Sequence, residues 1–413
     1  MQTQKQKKSY LGLAILIAMV LGVIVGILLQ GHSDITGKYI APIGTIYLNL
    51  LKMMIVPVVL FSIVDGVISL GSVRKVGSIG WKTVVFFIGT TALAIVIGLA
   101  SALIFRGAFP TDVQAVADYT PPEKMDFIGQ IVKIFPSNII DPMLNSTMLP
   151  IILIALLFGV GILLSGKDGN RIGKGVHSMN VVILKILEMI MWVTPIGVFC
   201  IMTNLVATKG ADILGALGIV ILAAYVAYFV HMILVYGITL KTIARVSPIE
   251  FLKKMNPAMT TAFTTTSSNA TLPITMECTN ELGCDKEVSS FVLPLGCTIN
   301  MDGAAIYMGV ATVFLAQYYG IALSVGDLLM VVVTATLASV GSAGVPGAAM
   351  VLLAMVLNSV GIPIEYIALI YGVDKIFDMG RTLLNVTGDS VCALAVDRIE
   401  KTRRAKKEQK QNQ

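Results

Sequence analysis

Charge is what this 413-residue chain has least of: Asp, Glu, Lys and Arg make up 13% of it, against about a quarter of a soluble globular domain. With 56% hydrophobic residues and a mean hydropathy of +0.85, the chain holds too little polar surface to face water all round. That excludes an ordinary soluble enzyme or binding module. The five cysteines (Cys200, Cys278, Cys284, Cys297, Cys392) are scattered, mostly inside apolar runs. They form neither a metal spacing nor a disulfide framework. The three histidines, His32, His177 and His231, make no ligand spacing. The net charge of +6 gathers at the ends: Lys5, Lys7 and Lys8, then Arg398, Lys401, Arg403, Arg404, Lys406, Lys407 and Lys410. Such end clusters read as topology signals, with no nucleic acid as partner.

What the chain does hold is one apolar run after another, each near the roughly 20 residues needed to span hydrocarbon. It is a polytopic membrane protein by composition. The first run, from about Tyr10 to Leu29, lacks a small-residue cleavage site and is longer than a signal peptide's core, so it reads as a retained helix. Further helices are predicted near 41–71, 80–106, 138–166, 177–207 and 213–240. Arg74, Lys75 and Lys82 follow the second helix, and Lys167, Arg171 and Lys174 make a basic loop after the fourth. Both loops therefore belong with the N-terminus on the cytoplasmic side. The segment 107–137 carries Asp112, Asp118, Glu123, Asp126 and the turn-rich Thr120-Pro121-Pro122, which suits an outside loop. The basic tail from Lys401 to Gln413 belongs inside and reads as a disordered extension.

The second half departs from this pattern. Thr264 to Pro273 and Ser339 to Gly347 are hydroxyl- and glycine-rich breaks, each set between apolar halves too short to span. They are either ordinary extramembrane turns or two re-entrant hairpins, whose irregular backbone is tolerated at membrane depth only where it lines a cavity or is buried in protein. Between them, Pro294, Gly296, Asn300, Asp302 and Gly303 should unwind a helix and expose carbonyl oxygens beside a carboxylate. Hard cations take oxygen ligands of this kind. Then Asp374, Asp378, Arg381, Thr382, Asn385 and Asp389 follow one another in steps of three and four, so on a helix they share one stripe. Intramembrane ionisable groups are costly and persist where they face a cavity, an ion or each other. The stripe is either a structural ion-pair network or a site for a small zwitterion and cations.

Ser267-Ser268-Asn269-Ala270-Thr271-Leu272-Pro273, Asn300-Met301-Asp302-Gly303, Ala343-Gly344-Val345-Pro346-Gly347, and Asp378-Met379-Gly380-Arg381-Thr382 with Asn385 and Asp389 together resemble the dicarboxylate/amino acid:cation symporters. That family includes the bacterial glutamate transporters and the animal excitatory amino acid transporters. The resemblance covers nearly the whole chain. It implies an all-α membrane protein of eight transmembrane helices plus two re-entrant helical hairpins, arranged as inverted repeats in an elevator-type homotrimer. The scaffold would comprise residues 1–79 and 108–210, the transport domain 80–107 and 211–398, and the cytoplasmic basic tail 399–413. It also implies a multi-pass protein of the bacterial inner membrane, embedded in lipid, with both termini cytoplasmic.

The same resemblance implies residue roles. Asp378 would pair with the substrate ammonium group, and Arg381 with its side-chain carboxylate, a task suited to a planar bidentate fork. Thr382, Asn385, Ser267 and Ser268 would hold the substrate's backbone end, with Ala304 beside its side chain and Val345 closing the second hairpin over it. Asp389, Asn385 and oxygens near Gly296 and Asn300 would form one sodium site; Thr298 with Ser339, Val340 and Ser342 a second; Asp302, Asn300, Thr90 and Thr91 a third. Taken alone, without the family pattern, Thr90 and Thr91 read as hydroxyls bonded back to helix carbonyls. Acidic amino-acid carriers usually have Thr where this chain has Ala304, whereas dicarboxylate carriers tend to lose the aspartate that is Asp378 here. The expectation is sodium-coupled uptake of aspartate or glutamate. Proton coupling, or a neutral amino acid, cystine or a C4-dicarboxylate as substrate, are the alternatives. A channel would favour repeated rings about an axis, and an intramembrane aspartyl protease would need paired aspartates from separate helices; neither matches this asymmetric cluster.

Overall fold

The computed structural model describes residues 2–76, 78–111, 132, 135–145, 148–210, 213–339 and 348–411. Every regular element among them is helical. The first half runs α1 (Gln2–Leu28), α2 (Ala41–Val76), α3 (Ser78–Phe105), α4 (Met148–Leu164), α5 (Gly166–Met191) and α6 (Thr194–Lys209). Four stretches, Thr36–Ile68, Ser78–Ala108, Ile213–Ala244 and Lys286–Tyr318, are long and apolar enough to cross a membrane; α5 and α6 together add a fifth, bent by 52°. The bend falls at Trp192–Val193, where Pro195 in the first turn of α6 lacks the N–H that would continue the ladder.

Two readings of the sequence need correction. The segment with Lys167, Arg171 and Lys174, expected as a loop, is the first part of α5. Gly166, at φ +60°, turns the chain out of α4, and the helix that follows is amphipathic: Gly169, Gly173, Asn180, Ile183 and Leu187 face inward while the basic groups face out. The tail, expected as disordered from Lys401, continues as helix to Gln411. Its Lys, Arg, Glu and Gln are good helix formers. Lys401 also ties it down, 2.7 Å from Asp397 one turn earlier and 2.9 Å from Asp285.

In the second half, α7 (Ile213–His231) continues through π-helical turns at Met232–Gly237 and Leu240–Ala244. Then come α8 (Pro248–Thr265), α9 (Ser268–Glu281), α10 (Lys286–Ile299), α11 (Asp302–Tyr318), α12 (Val325–Ser339), α13 (Ala348–Ser359) and α14 (Asp374–Gln411). The first expected break is narrower than its polar run. Thr266 alone is left-handed (φ 51°), Ser267 is extended, and Ser267 Oγ caps α9 by accepting from Ala270 N. Helices α8 and α9 fold against each other about this turn and both pack on α14. The tip of the second expected hairpin, with Val340, Ser342 and Val345, lies outside the described residues.

The expected unwinding between α10 and α11 is confined to Asn300 (φ −82°, ψ 100°) and Met301 (φ −123°, ψ 38°). Every residue in the most apolar part of Lys286–Tyr318 is buried by protein. This non-helical backbone is therefore enclosed, as its unsatisfied polar groups require. Helix α11 lies against α3 so closely that a Cβ on Gly98 would stand 2.7 Å from the Ile306 carbonyl oxygen. That approach carries α3's Thr90 and Thr91 up to the start of α11. In the first half, α1 packs along α6, and α2 along α4, α5 and α6.

Candidate functional site

Helix α14 supplies the stripe that the sequence spacing predicts, and all six of its members are buried. At its N-terminal end the guanidinium of Arg381 donates from Nη1 to Asp374 Oδ1 at 2.9 Å and from Nη2 to Asp374 Oδ2 at 3.2 Å. Its Nε donates to Asp378 Oδ1 at 2.9 Å. The guanidinium also lies over the Tyr307 ring, 4.8 Å from its centroid, a cation–π contact from α11. Lys375 Nζ stands 3.9 Å from Asp378 Oδ2 and donates to Thr266 Oγ1 at the turn between α8 and α9. Two acids and two bases thus form a neutral group in which every charge has a partner, the condition under which buried charge is tolerated. A cavity of about 440 Å³ opens beside it, lined by Thr266, Asp374, Lys375 and Asp378 on one side and by Trp192 and Thr194 on the other.

One to two turns further along α14, Asn385 and Asp389 meet the broken backbone. Asn385 Oδ1 accepts from Gly303 N at 2.7 Å. Asn300 Nδ2 donates to the Asn385 carbonyl and to Asp389 Oδ1, both at 2.8 Å. Gly296 lets Asp389 approach: a Cβ there would sit 2.4 Å from Asp389 Oδ1. Asn300 Oδ1 is buried with no hydrogen-bond partner among the described residues. An orphaned amide oxygen beside a buried carboxylate is a donor set that suits a hard cation.

Asp302 is differently furnished. Its Oδ1 accepts from Thr91 Oγ1 at 2.6 Å and Thr90 Oγ1 at 3.3 Å, while its Oδ2 faces Tyr236 OH at 2.7 Å and His231 Nε2 at 3.1 Å. The sequence reading singled out neither His231 nor Tyr236. Of the other expected residues, Thr298 and Ser339 hydroxyls bond back to the carbonyls of Leu295 and Thr336. Ser267, Ser268, Ala304 and Thr382 are buried. Sequence reasoning also missed Lys375, Thr266 and Tyr307.

Outside the hydrocarbon-depth segments, Glu400 pairs with Lys82 at the start of α3, and Arg403 approaches to 4.0 Å. Partial burial would push the Glu400 carboxyl up, but hydrogen bonds from Lys82 and Ser78 and the nearby positive charge outweigh it and hold it below the usual glutamate range.

Among the described residues, long apolar helices that enclose ion pairs, carboxylates and an interrupted helix define a membrane transporter. The comparisons agree on which kind. The chain belongs to the sodium:dicarboxylate symporter family, whose model matches residues 11–399. It is 34% identical to the proton/sodium-glutamate symport protein of Bacillus subtilis over 405 residues, covering 96% of this chain and 94% of that one. It is 33% identical over 412 residues to the proton/glutamate-aspartate symporter of Escherichia coli (96% and 94% covered). It is also 32% identical over 394 residues to a C4-dicarboxylate transport protein of Bacillus subtilis (94% and 92% covered).

Proposed function

We propose that this chain takes up an acidic amino acid, aspartate or glutamate, together with sodium ions, by an elevator-type movement of one part of the molecule past another. The observation that carries the reading is the neutral quartet of Asp374, Lys375, Asp378 and Arg381 at the N-terminal end of α14, with the enclosed Asp389 carboxylate two turns beyond Arg381. An amino acid with a side-chain carboxylate brings one positive and two negative groups. Asp378 suits its ammonium group, and the Arg381 fork its distal carboxylate. Thr382, Asn385, Ser267 and Ser268 would meet the backbone end, with Ala304 along the side chain and Val345 over the top. Symporters named for glutamate and aspartate among the relatives support this substrate class.

Asp389 with Asn300, Asn385 and the Gly296 carbonyl would hold one sodium, and Thr298 with Ser339, Val340 and Ser342 a second. Asp389 accepts a hydrogen bond from Asn300 Nδ2. A cation arriving there would offset a buried negative charge that is otherwise expensive. Substrate and sodium should then raise each other's affinity by the same factor.

The division of labour follows the packing. Helices α1, α2, α4, α5 and α6 pack chiefly on one another, and α3 with α7 to α14 chiefly on one another, with thinner contact between the two groups. The first group would be the scaffold and trimer-forming part and the second the moving part, with both termini cytoplasmic in a cell membrane. The test is counterflow uptake in liposomes with a panel of amino acids and dicarboxylates, with and without a sodium gradient. Sodium-stimulated, saturable exchange of aspartate or glutamate is the expected result; exchange indifferent to sodium would replace sodium with protons.

A further inference from the structure

Asp302 is 0% exposed, and so is His231. The carboxylate has about four lone-pair positions, and four side chains from two helices reach them: Thr90 and Thr91 from α3, and Tyr236 and His231 from the π-helical end of α7. The orientation of the imidazole follows from its surroundings. Its Nδ1 is buried with no hydrogen-bond partner among the described residues, whereas Nε2 points at Asp302 Oδ2. A proton on Nδ1 would be a buried donor without an acceptor, so the neutral ring carries its proton on Nε2 and donates to Asp302. The ring is fixed edge-on to Tyr236, with centroids 4.7 Å apart at 85°.

The backbone arranges this pair. His231 and Tyr236 are five residues apart, which on an α-helix advancing about 100° per residue would set them roughly 140° apart. The π-helical stretch Met232–Gly237 lies between them, and its i to i+5 repeat stacks residues at that spacing. Both side chains therefore reach the same carboxylate. Helix α7 departs from α-helical winding where that departure delivers two hydrogen-bond donors to Asp302.

A sodium ion needs oxygen lone pairs aimed at it. At Asp302 Oδ2 it would meet an N–H and a phenolic O–H in the positions its own bonds require. The resemblance assigns a third cation to this carboxylate; the donor set present does not fit one. We propose that His231 and Tyr236 close Asp302 to sodium. Asp302 then acts as a fixed polar anchor joining α3, α7 and α11, and coupling runs through the Asp389 side of the cluster and the Thr298 region. This rests on the cation-coupled symport reading above, and it assigns His231 and Tyr236 as residues that set ion stoichiometry.

The experiment is the ratio of radioactive sodium to labelled substrate entering liposomes that contain the full-length protein. The wild type is expected to move no more than about two sodium ions per substrate, one for each remaining oxygen-rich site. His231→Ala combined with Tyr236→Phe should raise that ratio by about one, and adding Asp302→Ala should remove the gain. A wild-type ratio of three, or a double variant that melts cooperatively yet keeps the wild-type ratio, overturns the proposal. Where the double variant does not fold, Tyr236→Phe alone keeps the ring packing and is read in the same way. Substrate flux that carries no sodium at all keeps Asp302 closed and overturns the sodium-coupling reading instead, so the two failures are distinct.

Discussion

Arg381 reaches back seven residues to grip Asp374 with two of its nitrogens, at 2.9 and 3.2 Å, while its Nε holds Asp378. The fork that would receive a substrate carboxylate is thus already engaged by one, and any acidic ligand must compete with Asp374 for it. Replacing Asp374 with Asn removes the competing charge but keeps the shape. Acidic substrate should then bind tighter, by about five- to tenfold, or roughly 1–1.4 kcal/mol. Calorimetric titration of the purified variant checks this; weaker binding would mean that Asp374 presents the fork to the substrate.

Arg381→Ala removes the partner of two buried carboxylates. It should destabilise the protein by about 3–5 kcal/mol and abolish uptake of aspartate and glutamate, while a small neutral amino acid such as serine remains a substrate or becomes one. Counterflow with both classes, on protein shown by its melt to be folded, separates loss of recognition from loss of structure. Unchanged aspartate uptake would remove Arg381 from the site.

At Gly296 even one methyl group is too much. Its Cβ would lie 2.4 Å from Asp389 Oδ1, 2.7 Å from Asp389 Cγ and 3.1 Å from Phe87. Gly296→Ala must push the carboxylate aside, and sodium should bind at least about tenfold more weakly, near 1.4 kcal/mol. A sodium titration of the melting temperature without substrate measures it. A neutral result there would place the cation away from Asp389.

Toward the C-terminal end of α14, the Glu400 carboxyl is held below its usual range by Lys82, Ser78 and Arg403 against the effect of burial. Its folded-state value is depressed, so the stability it contributes is present above the unfolded glutamate value, about 4.3. That contribution disappears as pH falls through the lower, folded one. Melting temperature should therefore decline across that acidic window, and Glu400→Gln should flatten part of the decline while lowering stability near neutrality by up to about 1 kcal/mol. Parallel melting profiles of the two proteins against pH would show that the pair contributes nothing.

Much of the site was legible in the sequence because charge inside a membrane helix has few reasons to exist. The steps of three and four from Asp374 to Asp389 place those residues on one buried face. The cluster of Pro, Gly, Asn and Asp around Asn300 marks where the backbone leaves the helix, though the break takes only two residues because Pro294 and Gly296 remain inside α10. Taken alone, Thr90 and Thr91 read as back-bonded hydroxyls; in the structure Thr91 donates to Asp302, while Thr90 bonds both Phe87 O and Asp302.

Other contacts were out of reach for reasons of geometry. His231 and Tyr236 converge through π-helical winding, which no α-helical periodicity displays. Lys375 sits between stripe positions, and its bond to Thr266 arises where that residue takes a left-handed turn between α8 and α9. Lys167, Arg171 and Lys174 looked like loop residues because basic clusters mark loops, yet a helix can carry the same cluster on one side.

The close crossing of α3 and α11 has a consequence for rigidity. Gly98 meets the Ile306 backbone two helical turns from Thr91, so the gap spanned by the Thr91–Asp302 bond is gauged by main chain against main chain. A separation set in that way cannot be widened by a side chain changing rotamer. Only a wholesale sliding of one rod along the other could enlarge it, and both rods belong to the same tightly packed body. Thr91 and Asp302 are thereby held at a spacing that side-chain motion alone cannot relax.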